Sequence, residues 1–229
     1  MLNILPLTYL GNLQYFVKLC FEECVIDIHE NYVRQSYRNR CDIMAANGAV
    51  SLTVNVSGGR SMDKKAVRDM RIDYSKDWQH RHWQTLVSAY RNSPYFDFYT
   101  ELFEAFYRRE YEFLFDFNLG LTEAALSALG MDVRLQFSER YIDPAECTAP
   151  DGAAVMADMR PVLAPRSAPS LPDPSFRTAP YWQVFSDRMP FAPNLSIVDL
   201  IFCEGPGAAE ILRSCRLPVA GEAGVAGFP

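Results

Sequence analysis

Residues 25–43 read Val-Ile-Asp-Ile-His-Glu-Asn-Tyr-Val-Arg-Gln-Ser-Tyr-Arg-Asn-Arg-Cys-Asp-Ile. The stretch opens on apolar residues, gathers His29, Glu30, Asn31, Tyr32, Arg34, Arg38, Asn39 and Arg40, and returns to apolar alternation at Ile43. Its first part predicts a strand over 25–29. Upstream, 2–5 reads as a strand ended by Pro6, and 11–22 as a helix with Leu13, Phe16, Val17 and Cys20 on one face. A strand-helix-strand order at this spacing predicts two parallel neighbours. A solvated loop would carry Gly, Ser and Lys. The guanidinium groups, rings and carboxamides of 29–40 are instead the tools for holding a polar ligand in fixed geometry.

Working outward, 40–44 and 50–56 flank Ala45-Ala46-Asn47-Gly48. Asn-Gly between apolar runs predicts a hairpin, because both residues tolerate positive φ. A further strand is predicted over 67–73, after Gly58-Gly59. From Ser75 the period becomes helical, with Asp77 as cap of a helix over 78–91 and Ser93-Pro94 as the start of the next. Residues 95–118 are dense in Phe and Tyr, which predicts a helix buried on much of its circumference. Another helix, 121–129, closes at Gly130. The Pro- and Ala-rich 143–180 region predicts a long loop or lid, and a last helix covers 194–203. The expected fold class is α/β: a mixed central sheet with a strand-helix-strand start and a hairpin, covered by aromatic-rich helices. Residues 1–217 are expected to form a single domain and 218–229 a disordered tail.

A chain of 229 residues suffices for one domain with a real core, and 15 Phe and 12 Tyr make that core aromatic. The net charge of −6 argues against a general nucleic-acid binder, which carries a basic footprint. No apolar run reaches bilayer length and the start lacks the parts of a signal peptide, so no membrane span and a cytoplasmic location are expected. Six cysteines show no paired short spacings, which argues against a zinc site. No Walker loop, Gly-x-Gly-x-x-Gly or Gly-x-Ser-x-Gly occurs, so no cofactor is expected.

On a helix from Trp78, residues Trp78, His82, Leu86 and Tyr90 share one face, while His80 turns toward solvent. His82 reads either as a satisfied core histidine braced by Trp78 and Tyr90 or as an acid/base group, since its ordinary pKa suits that work. His29, at the end of the predicted 25–29 strand, could be a base or contact a substrate where open α/β sheets place ligands. The alternative is a strand-end residue bonded to a nearby loop. Arg34, Arg38 and Arg40 could hold a phosphate or carboxylate through forked hydrogen bonds, Arg38 and Arg40 sharing a strand face as a two-pronged clamp. They could equally form ion pairs with Glu30 and Asp42. Asn194 as cap and Ser196 just inside leave helix N–H groups for an anion, with Asp199 one turn on. A metal held by His29, His82 and a carboxylate has no motif behind it.

Leu-Pro-Leu-Thr-Tyr-Leu with Tyr15-Phe16, the His-Glu-Asn-Tyr-Val-Arg-Gln-Ser-Tyr-Arg-Asn-Arg run, and Ala-Asn-Gly before Leu-Thr-Val occur in this order. Trp78 with His82-Trp83, Ser-Ala-Tyr-Arg-Asn-Ser-Pro-Tyr-Phe and Pro-Asn-Leu-Ser-Ile-Val-Asp-Leu-Ile-Phe follow. Together these segments resemble the WbqC-like family over most of residues 4–206. The resemblance implies a place among bacterial surface-polysaccharide (O-antigen) gene sets, and transfer of an acyl or amino-acyl group to an amino-sugar. The family positions it implies here are Tyr9, His29, Asn31, Arg34, Arg38, Asn39, Arg40, Trp78, His82, Tyr90, Asn194, Ser196 and Asp199. Asn55 and Cys203 depart from the family pattern, which has Pro and Asn there. Neither replaces a candidate catalytic group.

The resulting expectation is a transferase acting on an activated sugar or acyl donor. His82 or His29 would be the base, the arginines would hold an anionic or sugar-derived substrate or a carrier-linked acyl donor, and Asn39 and Asp199 would orient the acceptor. Tyr9, Asn31, Trp78, Tyr90, Asn194 and Ser196 complete the expected binding set. The alternatives are a non-catalytic glycan- or nucleotide-sugar-binding accessory protein and a metal-assisted hydrolase.

Overall fold

In the computed structural model the described residues are 1–58, 65–149, 151–165 and 171–218. Gly59, residues 150 and 166–170 of the Pro/Ala-rich region, and 219–229 of the expected tail lie outside them. Among the described residues no helix is long and apolar enough to cross a membrane.

Strand β1 (Leu2–Leu5) ends at Pro6 as expected, and helix α1 (Leu13–Phe21) follows behind Asn12, whose side chain accepts from Tyr15 N. Strand β2 (Cys24–Ile26) then pairs parallel to β1, with Asn3 opposite Cys24 and Leu5 opposite Ile26. It stops at Ile26 rather than running to residue 29, because Asp27 turns its carboxylate back onto the His29 N–H at 3.0 Å. Helix α1 is buried from Leu13 through Leu19, not along a single stripe, since it packs against α6 (Ala208–Ser214) and its apolar residues join the main core.

The hairpin forms as expected from β3 (Arg40–Ala45) and β4 (Gly48–Thr53). Only Gly48 of the Asn-Gly pair takes positive φ, at 112°. The hairpin is a separate two-stranded sheet. The third strand beside β1 is instead β5 (Met156–Asp158), again parallel, giving the order β2-β1-β5. This strand comes from the Pro/Ala-rich region read as a loop or lid. The 67–73 strand does not form: Val67–Asp69 is a 3-10 turn, and only isolated bridges join Ile72 to Val56 and Arg71 to Phe113.

Helix α2 (Trp78–Tyr90) presents the expected face, with Trp78, His82, Leu86 and Tyr90 buried and His80 exposed. The aromatic run does not form one helix. It divides into α3 (Phe96–Tyr107) and α4 (Leu114–Ala128), which pack on each other, and Gly130 follows α4 at φ 65°. Ser93 caps nothing; its hydroxyl donates back to the Tyr90 carbonyl at 2.7 Å. The last long helix, α5 (Ile197–Glu204), is buried through its first seven residues and contacts α2, α3 and α4. Fully buried rings of Tyr9, Trp78, Tyr90, Phe103, Phe117 and Phe202 fill the space between these helices and the hairpin. Each such side chain contributes roughly 1.5–3 kcal/mol through burial.

Candidate functional site

Because β1, β2 and β5 run the same way, their carboxyl ends open on one edge, the edge where parallel sheets bind ligands. Asp27 follows β2 there, Asp158 ends β5 and Arg160 lies two residues on. Asp27 is fully buried and accepts from Ser138 Oγ (2.9 Å), Ile142 N (3.2 Å) and Arg160 Nη1 (2.6 Å), besides the His29 N–H. Arg160 also donates from Nε and Nη2 to the two Asp158 oxygens, each at 2.8 Å, and from Nη2 to the Ile142 carbonyl at 2.9 Å. Its guanidinium lies 5.4 Å from the centre of the Tyr141 ring. A fork with this many fixed donors is held rigidly.

Beside this network, Arg38 Nε donates to Glu30 Oε1 at 2.9 Å and Arg38 Nη2 donates to Oε2. Both side chains are almost closed to solvent. Burial lifts the Glu30 carboxyl above its usual range, against the opposing pull of Arg38. Arg38, Arg160 and Arg34, with Glu30, Asp158 and Tyr141, line a cleft of about 650 Å³. Asn31 lines it too, and its backbone bridges Ala66. The arrangement can grip an anion and stack a ring on Tyr141.

The remaining sequence-derived residues lie elsewhere. His82 Nδ1 is 3.0 Å from the Tyr9 hydroxyl, which is 2.7 Å from the Tyr107 hydroxyl. The imidazole also makes a backbone hydrogen bond to Thr53 and meets Trp78 edge-on at 5.1 Å. Burial pushes its pKa down to about 4, assisted by the Arg81 charge. His82 is therefore neutral and fully partnered within the core, with Tyr9 and Trp78 packed around it. His29 Nε2 faces Arg68 Nη1 at 3.4 Å. Among the described residues the two histidines share no hydrogen-bond partner.

Asp199 is wholly buried. It accepts from Tyr90 at 2.7 Å, Tyr181 at 2.6 Å and Gln183 Nε2 at 3.0 Å, while Tyr90 accepts from Met44 N at 3.2 Å. Burial raises the Asp199 carboxyl although these donors oppose the shift. Strand β3, α2 and α5 thus meet one another, but in packed core rather than at an opening.

Asn194 does not cap α5. It takes φ 54° and its Oδ1 accepts from Gln14 N at 3.0 Å, so it caps α1 from across the fold. Ser196 is the residue preceding α5, and its hydroxyl donates to the Leu10 carbonyl at 2.7 Å. The two helix starts also satisfy each other: Leu13 N donates to Leu195 O at 3.1 Å and Ile197 N to Gly11 O at 2.8 Å. A Cβ at Gly11 would sit 2.5 Å from Thr8 Oγ1, which is why this close approach needs glycine. The expected anion seat is occupied by backbone.

Arg40 and Arg38 form no clamp. Arg38 precedes β3 and pairs with Glu30, whereas Arg40 bonds Ser51 Oγ at 2.5 Å and pairs with Asp42 at 3.4 Å. Asn39 donates from Nδ2 to the Val54 carbonyl at 2.9 Å, tying the segment to the end of the hairpin. Cys20 and Cys24 are pushed up to about 12 by burial, so neither is a ready nucleophile. Among the described residues no group of three or more His, Cys, Asp or Glu side chains is placed to hold a metal.

Sequence reasoning missed Asp27, Tyr141, Asp158 and Arg160. The short apolar run Val155-Met156-Ala157 before Asp158-Met159-Arg160 was the available signal for a strand end bearing charge.

Over 219 residues the chain is 27% identical to Uncharacterized protein Rv1507c of Mycobacterium tuberculosis (strain ATCC 25618 / H37Rv), a match covering 88% of this chain and 93% of that protein. No solved structure matches. The WbqC-like protein family matches residues 8–158, a span that includes β2, the arginine segment, the hairpin and the Asp158 strand end. With that match over more than half of its length, the chain belongs to the WbqC-like protein family.

Proposed function

We propose that the arginine-lined cleft binds an anionic, sugar-derived ligand or a carrier-linked acyl donor, and that the protein is a transferase in surface-polysaccharide or amino-sugar modification. The observation that carries this reading is the cleft itself: Arg34 and Arg38 from the segment after β2 gathered with Arg160, just past the carboxyl end of the parallel β5. In this reading Arg34, with the N–H groups that Arg38 and Arg160 do not spend on Glu30, Asp27, Asp158 and Ile142, positions the anionic donor, and Tyr141 offers a ring face to the sugar. Glu30, with its raised carboxyl, replaces His82 as the proton acceptor. The transfer chemistry itself rests on the family resemblance.

Titration with nucleoside-diphosphate sugars and acyl thioesters, with product analysis by mass spectrometry, tests the reading. Binding that weakens about tenfold or more in Arg34→Ala supports it. No binding by any anionic donor sinks it. The accessory-protein reading is favoured by one observation, the enclosure of His82 and Asp199 in the core. It predicts the same Arg34-dependent affinity without any product.

A further inference from the structure

A second cleft, of about 560 Å³, lies on the other side of the parallel sheet. Alternation along the strands separates the two. Asn3 and its partner Ala157 line this second cleft, while Asp158, one residue on, lines the arginine cleft. Its walls are apolar, formed by Phe21, Ala157, Met159, Val162, Pro172 and Pro174. At its polar end the almost fully buried Lys18 ammonium is held by Glu22 (3.1 Å), Asp173 (3.4 Å) and the Ser175 hydroxyl. Asp173 is itself fixed by Gln14 Nε2 at 3.0 Å and Ser175 Oγ at 2.7 Å. An apolar cavity of this size with a few convergent, rigidly held polar groups has the form of a small-molecule site.

The charges select the ligand's head. Where the head would sit, the single Lys18 ammonium meets two carboxylates, Glu22 and Asp173, so the charge at that end of the cleft is net negative. An incoming carboxylate or phosphate therefore meets net repulsion, whereas a hydroxyl or ammonium head does not. We propose that this cleft is a second ligand site, taking an amphiphile with an apolar body and a hydroxyl-bearing or cationic head and discriminating against an anionic one. The inference is independent of the reading of the arginine cleft.

The test uses the full chain with three probes below their micelle concentrations: octyl glucoside, octylamine and octanoate. Binding is followed by calorimetry and by NMR shifts of the Met159 methyl and Val162. The glucoside and the amine should bind and shift these groups, and octanoate should bind about tenfold more weakly. Pro172→Trp, on the exposed rim, should abolish binding. Glu22→Gln keeps an acceptor for Lys18 and should narrow the gap between octanoate and glucoside. Equal binding of octanoate and glucoside by the unaltered chain would overturn the proposal without reference to any variant. So would binding indifferent to Pro172→Trp in a variant whose melting temperature is unchanged, or no binding of the glucoside and the amine.

Discussion

Arg38 and Glu30 grip each other through two parallel hydrogen bonds, Nε to Oε1 at 2.9 Å and Nη2 to Oε2, in a place almost closed to water. The arginine that the sequence offers as a ligand clamp thus spends two of its donors inside the protein.

Removing one partner leaves an uncompensated charge in the other's place. Arg38→Ala should cost about 3–5 kcal/mol of unfolding free energy, measured by urea denaturation. The double variant Glu30→Gln/Arg38→Met should be markedly milder than Arg38→Ala alone. Equal losses would show that packing, not the stranded charge, dominates.

His82 makes stability depend on pH with a definite sign. Its folded-state pKa is near 4 against 6.5 for the free side chain, so between these values the unfolded chain binds more protons. The stabilisation is complete above pH 6.5 and is lost as the pH falls toward 4, by up to about 3 kcal/mol. Glu30 and Asp199, both raised by burial, work in the opposite direction, losing stability as the pH rises through their folded-state values. The histidine's part is therefore the difference between the curves of the wild type and His82→Gln, whose amide keeps a donor and an acceptor. Parallel curves from pH 6.5 to 4 would contradict a buried neutral imidazole.

The Tyr107–Tyr9–His82 chain has a similar liability. Tyr9→Phe removes the middle hydroxyl and leaves two buried polar atoms without their shared partner. A loss of about 1–3 kcal/mol is expected in chemical denaturation.

Asn194 combines two roles that substitutions can separate. Asn194→Ala loses the hydrogen bond to Gln14 N and must also adopt φ 54°, so a cost of about 1–2 kcal/mol is expected. Asn194→Gly loses only the bond and should be less damaging. If glycine is no better than alanine in thermal denaturation, backbone strain is not part of the account.

Much of the frame is local and could be read directly. The short apolar run 2–5 closed by Pro6, the Asn-Gly of the hairpin and the 3.6-residue stripe through Trp78, His82, Leu86 and Tyr90 each express a rule spanning a few residues. The misreadings have a common cause. β5 is only three residues long and exists because β1 offers it an edge, while the Phe- and Tyr-rich run breaks where α3 must fold back on α4. Neither constraint is visible in the segment itself.

The same division holds at the candidate site. The sequence determined by itself that residues 29–40 carry an unusual density of ligand-holding groups, and that His82 points inward. Only the tertiary structure decided which of those groups are spent on the fold. Arg38 meets Glu30 and Arg40 meets Asp42; Asn194 caps a helix 180 positions away from it in sequence, and Asp199 is enclosed by Tyr90 and Tyr181. It also brought Arg160 to Asp27, 133 positions apart, and so built the cleft. A buried polar group must find a partner, and in a closed core the partner is chosen by proximity in space rather than along the chain.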